Sequence, residues 1–375
     1  MNSSTVRNII CVLISLAGIL YLVIGIRQEK AAETAKIAAV REEQKQAESM
    51  SEAVDEKHPW EADEKTDSFY QKLIDGFDVN ILVVGDTFAD GSAASAVEKR
   101  WTNLLPKAIA DAYDVNASLK TMIFDDNTSY SFYALVKQMS TDESYDLVII
   151  CSGQYDAEET STLHYEALIR ALREKFGDIN MIAILEHAQK DYTAKITGIQ
   201  ALAEHYGLQA ADMVESFREE YDPYTTYDFF PNDEGHQAYC DTLMEVIKEG
   251  AEAGTGRTAE DVEPMDGQVA NYDVLTFIPA SEFDRTDNTR YTLNAPAAGN
   301  IGIDFDYING DNGETVVIDG EDIVYEKTKK FNSPSSQRQI IYAAGGVNAT
   351  TKVRVKFDSK EEADTFRGMY VSTAG

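Results

Sequence analysis

Cysteine is nearly absent: Cys11, Cys151 and Cys240 are the only 3 thiols in 375 residues. No CxxC spacing occurs, so nothing in the cysteine pattern points to zinc. Cys11 lies inside an apolar run, which leaves at most one disulfide, and the settings of the other two favour separate buried thiols. Cys151 ends an expected strand and Cys240 sits in an expected helix. Histidine is scarce as well, with 5 in the chain. Positive charge is the third shortage: 33 Lys and Arg face 65 Asp and Glu, a formal net charge of −32. Nucleic acid is excluded as a partner, because phosphate contacts need basic side chains. Broad adhesion to an anionic lipid surface is disfavoured for the same reason, and the acidity reads as a solvated exterior. What is present suffices for one or two ordinary cores, at 43% hydrophobic content.

After a short tail (1–8), residues 9–26, IICVLISLAGILYLVIGI, carry no charge. As a helix this run reaches roughly 27 Å, enough to cross the hydrocarbon of a bilayer. No A-x-A-like exit is seen at Gly25-Ile26-Arg27, so we expect an uncleaved single-pass anchor. Arg7 precedes it, whereas Arg27, Lys30, Lys36, Arg41 and Lys45 follow, a count that would hold the bulk of the chain inside the cell. Against that count stands the usual plan of exported, tethered bacterial proteins: short tail, one anchor, large domain. We place the soluble part outside the membrane. Residues 27–68 are rich in Ala, Glu, Lys and Gln, and Ile37, Val40, Met50 and Val54 sustain no heptad seam. They read as a helical or disordered stalk.

From 69 to 250 short apolar strands alternate with amphipathic helices. "DVNILVVGD", "SLKTMIF", "YDLVIICSG" and "INMIAILEH" are the strands, and 93–113, 129–139 and the stretch around Leu168, Ile169, Leu172 and Phe176 are expected helices. "ITGIQALAEHYG" and a last helix ending at Gly250 complete the pattern. Continuously apolar strands separated by helices imply a parallel sheet covered on both faces, an α/β domain whose working edge lies at the strands' carboxyl ends.

Four segments carry a resemblance, in order: "VVGDTFADG", "DLVIICSGQYD", "LAEHYGLQAADM" and "FFPNDEGHQAY". They are similar to the conserved blocks of the SGNH (GDSL-like) hydrolase family, over roughly residues 75–250. The resemblance implies a three-layer α/β fold. It also implies a serine nucleophile, a histidine base oriented by an aspartate three residues earlier, and an oxyanion hole of backbone glycine N–H and asparagine. Acyl transfer needs that set, because a neutral hydroxyl is a poor nucleophile and the developing charge needs fixed donors.

Carried across position by position, the set is eroded. Thr87 stands at the serine, Asn127 at the glycine, and Tyr155 at the asparagine of Gly153-Gln154-Tyr155-Asp156. Phe230 stands at the histidine and Tyr227 at the aspartate. Thr87 keeps a hydroxyl, with a methyl that crowds attack and restricts χ1, but a phenylalanine accepts no proton. Two other histidines are alternative bases. His187, beside Glu186, ends a strand on the correct edge, and His236 lies in a literal D-x-x-H, Asp233-Glu234-Gly235-His236. The bland reading makes His187 a polar loop residue, and Pro231-Asn232 marks His236 as the family's second histidine at the start of the last helix. His58 falls in the stalk, and His164 and His205 fall within helices. Asp86, Asp156 and Asp212, acids at strand ends, read as partners of backbone N–H groups. Trp101 reads as core. No metal constellation is seen, and no cofactor is expected.

A linker (251–268) precedes a change of pattern: short β-rich runs from 269 to 375, separated by turn residues at the spacing of a β-sandwich or jelly roll. "DFDYINGDNGETVVI" is Asp-rich but lacks an EF-hand's spacing, and Asn309-Gly310 predicts a plain hairpin. Tyr272, Tyr291, Tyr307, Tyr325, Tyr342 and Tyr370 read either as a sugar-stacking platform or as sheet packing. Three functions follow. The first is a catalytically inactive, membrane-tethered relative of these hydrolases, binding a surface glycan or an envelope protein. The second is an atypical esterase or acyl-transfer enzyme using Thr87 on acyl groups of surface polysaccharide. The third is a structural envelope protein whose β module does the binding.

Overall fold

The computed structural model describes residues 68–91, 93–140, 143–226, 229–254, 262–319 and 322–375. The expected anchor, the stalk and Tyr227 lie outside these. Among the described residues no helix is long and apolar enough to cross a membrane.

Five parallel strands form the first sheet, in the order β2-β1-β3-β4-β5: β1 (Val79–Gly85), β2 (Ala117–Ile123), β3 (Leu147–Cys151), β4 (Asn180–Leu185) and β5 (Gln209–Asp212). β3 and β4 are buried at every position, as their unbroken apolar runs require when helices cover both faces. One face packs Phe69, Trp101, Leu105, Tyr239 and Leu243 against the sheet, and the other packs Tyr130, Phe132, Leu168, Leu172 and Leu202. The helix expected over 93–113 begins at Trp101, because 93–100 is spent in turns and a short 3-10 segment. The last helix, Asp233–Ala253, runs past Gly250 to a left-handed cap at Gly254.

The C-terminal part is two antiparallel sheets facing each other. Before it, β6 (Thr225–Thr226) and β7 (Phe230–Pro231) pair only with each other. Its strands are β8 (Val274–Pro279), β9 (Asp284–Asp287), β10 (Arg290–Leu293), β11 (Ala297–Tyr307), β12 (Gly310–Ile318), β13 (Asp322–Phe331), β14 (Gln337–Ala349), β15 (Val353–Phe357) and β16 (Gly368–Thr373). β13-β12-β15-β10-β9 forms one sheet and β14-β11-β16-β8 the other. Their inward residues, among them Ile301, Ile303, Phe305, Val316, Val353, Val355 and Phe357, make the sandwich core. The hairpin expected at Asn309-Gly310 is absent. β11 pairs with β14 and β16, whereas β12 pairs with β13 and β15, so the turn carries the chain from one sheet to the other. Asn312 stitches that corner, its Oδ1 accepting from Ile308 N–H and its Nδ2 donating to Ile308 O, both at 2.8 Å.

The two parts share a core. Val269, Tyr272, Ile340 and Tyr370 belong to the same apolar cluster as Tyr130, Tyr133 and Leu168 of the α/β domain. At its centre Tyr130, on the helix Ser129–Gln138, meets Tyr133, His164, Tyr272 and Tyr342 with ring centroids 5.2–6.4 Å apart. β11 approaches this ring so closely that a Cβ on Gly302 would stand 2.4 Å from the Tyr130 hydroxyl. Three of the tyrosines weighed as a sugar platform (Tyr272, Tyr342, Tyr370) are therefore packing residues of the seam.

A shared core predicts one unfolding event. In the unit Lys65–Gly375 the indole of Trp101 reports on the α/β domain and far-ultraviolet dichroism on both parts. The two signals should lose structure at the same urea concentration. Tyr130→Ala should cost about 3–5 kcal/mol without splitting the transition. Two separated transitions would show that the seam does not couple the parts.

Candidate functional site

β1 ends at Gly85, and Asp86 then caps the short helix Thr87–Asp90, its Oδ1 accepting from Phe88 N–H at 3.1 Å. This turn presents Thr87 at the carboxyl edge of the sheet, 8% exposed. Its Oγ1 accepts from the Tyr155 hydroxyl and from Asp126 N–H, each at 3.2 Å. A phenol and an amide N–H are both donors here, and among the described residues no base is hydrogen-bonded to Thr87. Burial also drives the Tyr155 phenol far above its ordinary range, so it stays protonated.

The family positions converge unevenly. Gly153 holds φ +133°, a left-handed conformation that L side chains rarely adopt, and starts the loop that brings Tyr155 to Thr87. Asn127 sits in the neighbouring loop but faces away from the hydroxyl. Its Nδ2 donates to Asp125 O (2.9 Å) and Arg338 O (3.0 Å), and its Oδ1 accepts from Ile340 N–H (3.2 Å). The residue at the glycine position thus ties the α/β domain to β14. Phe230, in the two-residue strand Phe230–Pro231, lies among Phe88 (6.0 Å between centroids) and Phe229 (4.3 Å). An aromatic wall stands at the position that the sequence resemblance aligns with a histidine base.

Among the described residues neither alternative base is hydrogen-bonded to Thr87. His187 is fully buried, with Nδ1 against the Tyr239 hydroxyl (2.9 Å), Nε2 against Phe229 O (2.7 Å), and its ring stacked 4.0 Å from Phe217. Both ring nitrogens are occupied by structure. His236 is buried behind Trp101, whose N–H lies 3.5 Å from its Nδ1. Burial holds both imidazoles near 4, well below 6.5. Asn232 of the Pro-Asn pair caps the last helix, its Oδ1 accepting from Gly235 N–H at 3.0 Å. Trp101 is core, its Nε1 bonded to Phe88 O.

Acids at the strand ends are tied to backbone. Asp156 accepts from Ser129 N–H and hydroxyl, and Asp212 accepts from Glu215 N–H. Cys151 and Cys240 are both buried and unbridged. Sequence reasoning missed Asp126, whose φ of 55° turns the 124–128 loop, and Lys329 of β13, which reaches Asp126 at 3.1 Å. The Asp125-Asp126-Asn127 run was a turn signal for the first; no local signal marks the second. Beside this loop a cleft of about 430 Å³ opens between the two parts, lined by Asp90, Thr121, Phe124, Asp125, Gln337 and Arg338.

No family model and no curated protein matches the sequence. Solved structures do. A two-domain esterase active on acetylated mannans matches with TM-score 0.64, 16% identity, 81% of this chain and 94% of that chain covered. Its crystal form with mannopentaose matches with TM-score 0.63 over the same spans and at the same identity. A putative GDSL-like lipase from Bacteroides ovatus aligns over 46% of this chain and 54% of its own at TM-score 0.38 and 17% identity, too slight a likeness to argue from. The chain therefore shares the fold of that two-domain esterase over 81% of its length, α/β domain and β module together.

His187 gives a pH signature. Its folded value of about 4 lies below the ordinary 6.5, so unfolding takes up a proton between those values. The stability it represents is complete above about 6.5 and is lost as the pH falls toward 4. In urea melts from pH 4 to 7, His187→Asn should flatten the dependence by close to one proton. An unchanged slope would mean that the imidazole charges freely in the folded chain.

Proposed function

We infer that the chain is a non-catalytic, membrane-tethered polysaccharide-binding protein built on the frame of a two-domain ester hydrolase. One observation carries this reading: the Thr87 hydroxyl receives two hydrogen bonds, and no imidazole nitrogen is among its described partners. Without a base to take its proton, a hydroxyl adds to an ester carbonyl many powers of ten more slowly. The anchor at 9–26 would hold the protein at the cell surface, with its binding parts outside the membrane. The cleft beside the 124–128 loop offers what a neutral sugar chain uses: hydroxyl-pairing carboxylate and amide groups around one aromatic ring, Phe124. Because the structural neighbour acts on acetylated mannans, manno-oligosaccharides are the first ligands to try.

The esterase alternative needs Thr87 as nucleophile and a base drawn from outside its present partners. Tyr155 does not fill that role, since its phenol is held protonated and donates to the same oxygen.

A pair of measurements on Lys65–Gly375 decides between the readings. With a small acetyl ester, wild type and Thr87→Ala should give the same background turnover; a burst or rate that depends on Thr87 would establish the enzyme instead. Calorimetric titration with manno-oligosaccharides and acetylated mannan should show binding that Asp90→Ala and Gln337→Ala each weaken about tenfold, or about 1.4 kcal/mol. Absence of binding to any such chain would remove the polysaccharide reading.

A further inference from the structure

Beneath Thr87, at the carboxyl ends of the three adjacent strands β1, β3 and β4, lie Asp86, Cys151 and Glu186, all buried. One potential ligand atom from each lies within 4.8 Å of the other two. The arrangement is fixed by backbone. Asp86 Oδ1 is held by Phe88 N–H at 3.1 Å and Glu186 Oε2 by Gln154 N–H at 2.8 Å, so the second oxygens face the common space, where Glu186 Oε1 accepts from the Cys151 thiol. Asp86 Oδ2 has no hydrogen-bond partner although the residue is 0% exposed. Leaving a buried acceptor unpaired is costly, and more so when it is charged. No ion pair among the described residues reaches Asp86 or Glu186, so two acids and a thiol share the sheet's central edge without a directly paired counter-charge.

We propose that Asp86, Cys151 and Glu186 form a structural site for one divalent transition cation, zinc first, that clamps β1, β3 and β4 together. One thiolate and two carboxylates suit zinc rather than the oxygen-preferring magnesium or calcium. Zinc–sulfur and zinc–oxygen bonds of about 2.3 and 2.1 Å at a tetrahedral angle set sulfur and oxygen roughly 3.6 Å apart; the Cys151 thiol, which donates to Glu186 Oε1, already holds its sulfur 3.7 Å from that oxygen. Binding deprotonates the thiol, and the proton leaves to solvent as the metal enters during folding. The site is independent of any ester chemistry, since it uses neither Thr87 nor a histidine.

The rival arrangement is metal-free. Burial pushes both acids up, Asp86 further through Glu186 and Glu186, to about 8, further through Asp156, and a bound proton stands in for the cation. The full chain, extracted in mild detergent and purified without chelator or metal-affinity resin, separates the two by elemental analysis. About one zinc per chain is expected, falling below about a tenth in Cys151→Ala. Refolding with cobalt should give a thiolate-to-cobalt absorption band that the same variant lacks. Asp86→Asn and Glu186→Gln should lower the thermal midpoint. Where Asp86→Asn does not fold, Cys151→Ala and Glu186→Gln still decide. Three results overturn the proposal: a wild-type chain that takes up no metal on refolding, zinc that persists in Cys151→Ala, or a Glu186→Gln chain more stable than wild type.

Discussion

A hydroxyl that accepts two hydrogen bonds and lacks a base is the constraint on which the site depends. Tyr155 and the backbone of Asp126 occupy the oxygen of Thr87 from two sides, and 8% exposure leaves little room for a carbonyl to approach it. These contacts are supported in turn from the β module. Lys329 reaches Asp126, and Gln337 donates to Asp125 O. An exposed ion pair such as Lys329–Asp126 contributes at most about 1 kcal/mol. The hydrogen bonds of Asn127 to the β14 backbone are buried, however, and losing both partners of that amide would cost several times as much. The loop beside Thr87 is therefore set by the second part of the chain.

The histidines show the same redistribution. An imidazole that serves as a general base needs one nitrogen free toward the nucleophile and a value near neutrality. His187 has a phenol on one nitrogen and a carbonyl on the other, and burial takes it to about 4. It acts as a polar rivet joining the end of β4 to the last helix through Tyr239 and to the Phe229–Phe230 wall. His164 does similar work at the seam, where its Nε2 meets the Tyr272 hydroxyl at 3.1 Å.

Much of this frame was legible in the chain itself, for physical reasons. β1, β3 and β4 read clearly because a strand covered on both faces must be apolar at successive positions, and the order of four motifs placed Thr87, Gly153, Tyr155 and Phe230 on one edge. β9 was illegible because Asp284–Asp287 is polar and exposed at every position, so it alternates nothing. The Asn309-Gly310 turn misled because a local turn signal says nothing about which sheet the chain enters next. The orientation of Asn127 was beyond reach for a different reason: its partner Ile340 lies 213 residues away, and no local pattern encodes such a contact.

That long-range tie bears on how the site could be altered. Placing an imidazole at position 230 would supply a proton acceptor but would leave Tyr155 and Asp126 on the Thr87 oxygen. Placing glycine at 127 would add no donor, since the Asn127 backbone N–H is already present and bonded to Phe124 O at 3.3 Å, and it would remove the side-chain amide that joins the loop to β14 at Arg338 and Ile340. The first change thus leaves the nucleophile's oxygen occupied, and the second withdraws a contact that positions the two parts against each other. In this chain the seam and the site are one packing problem, because the loop beside Thr87 is held from β14.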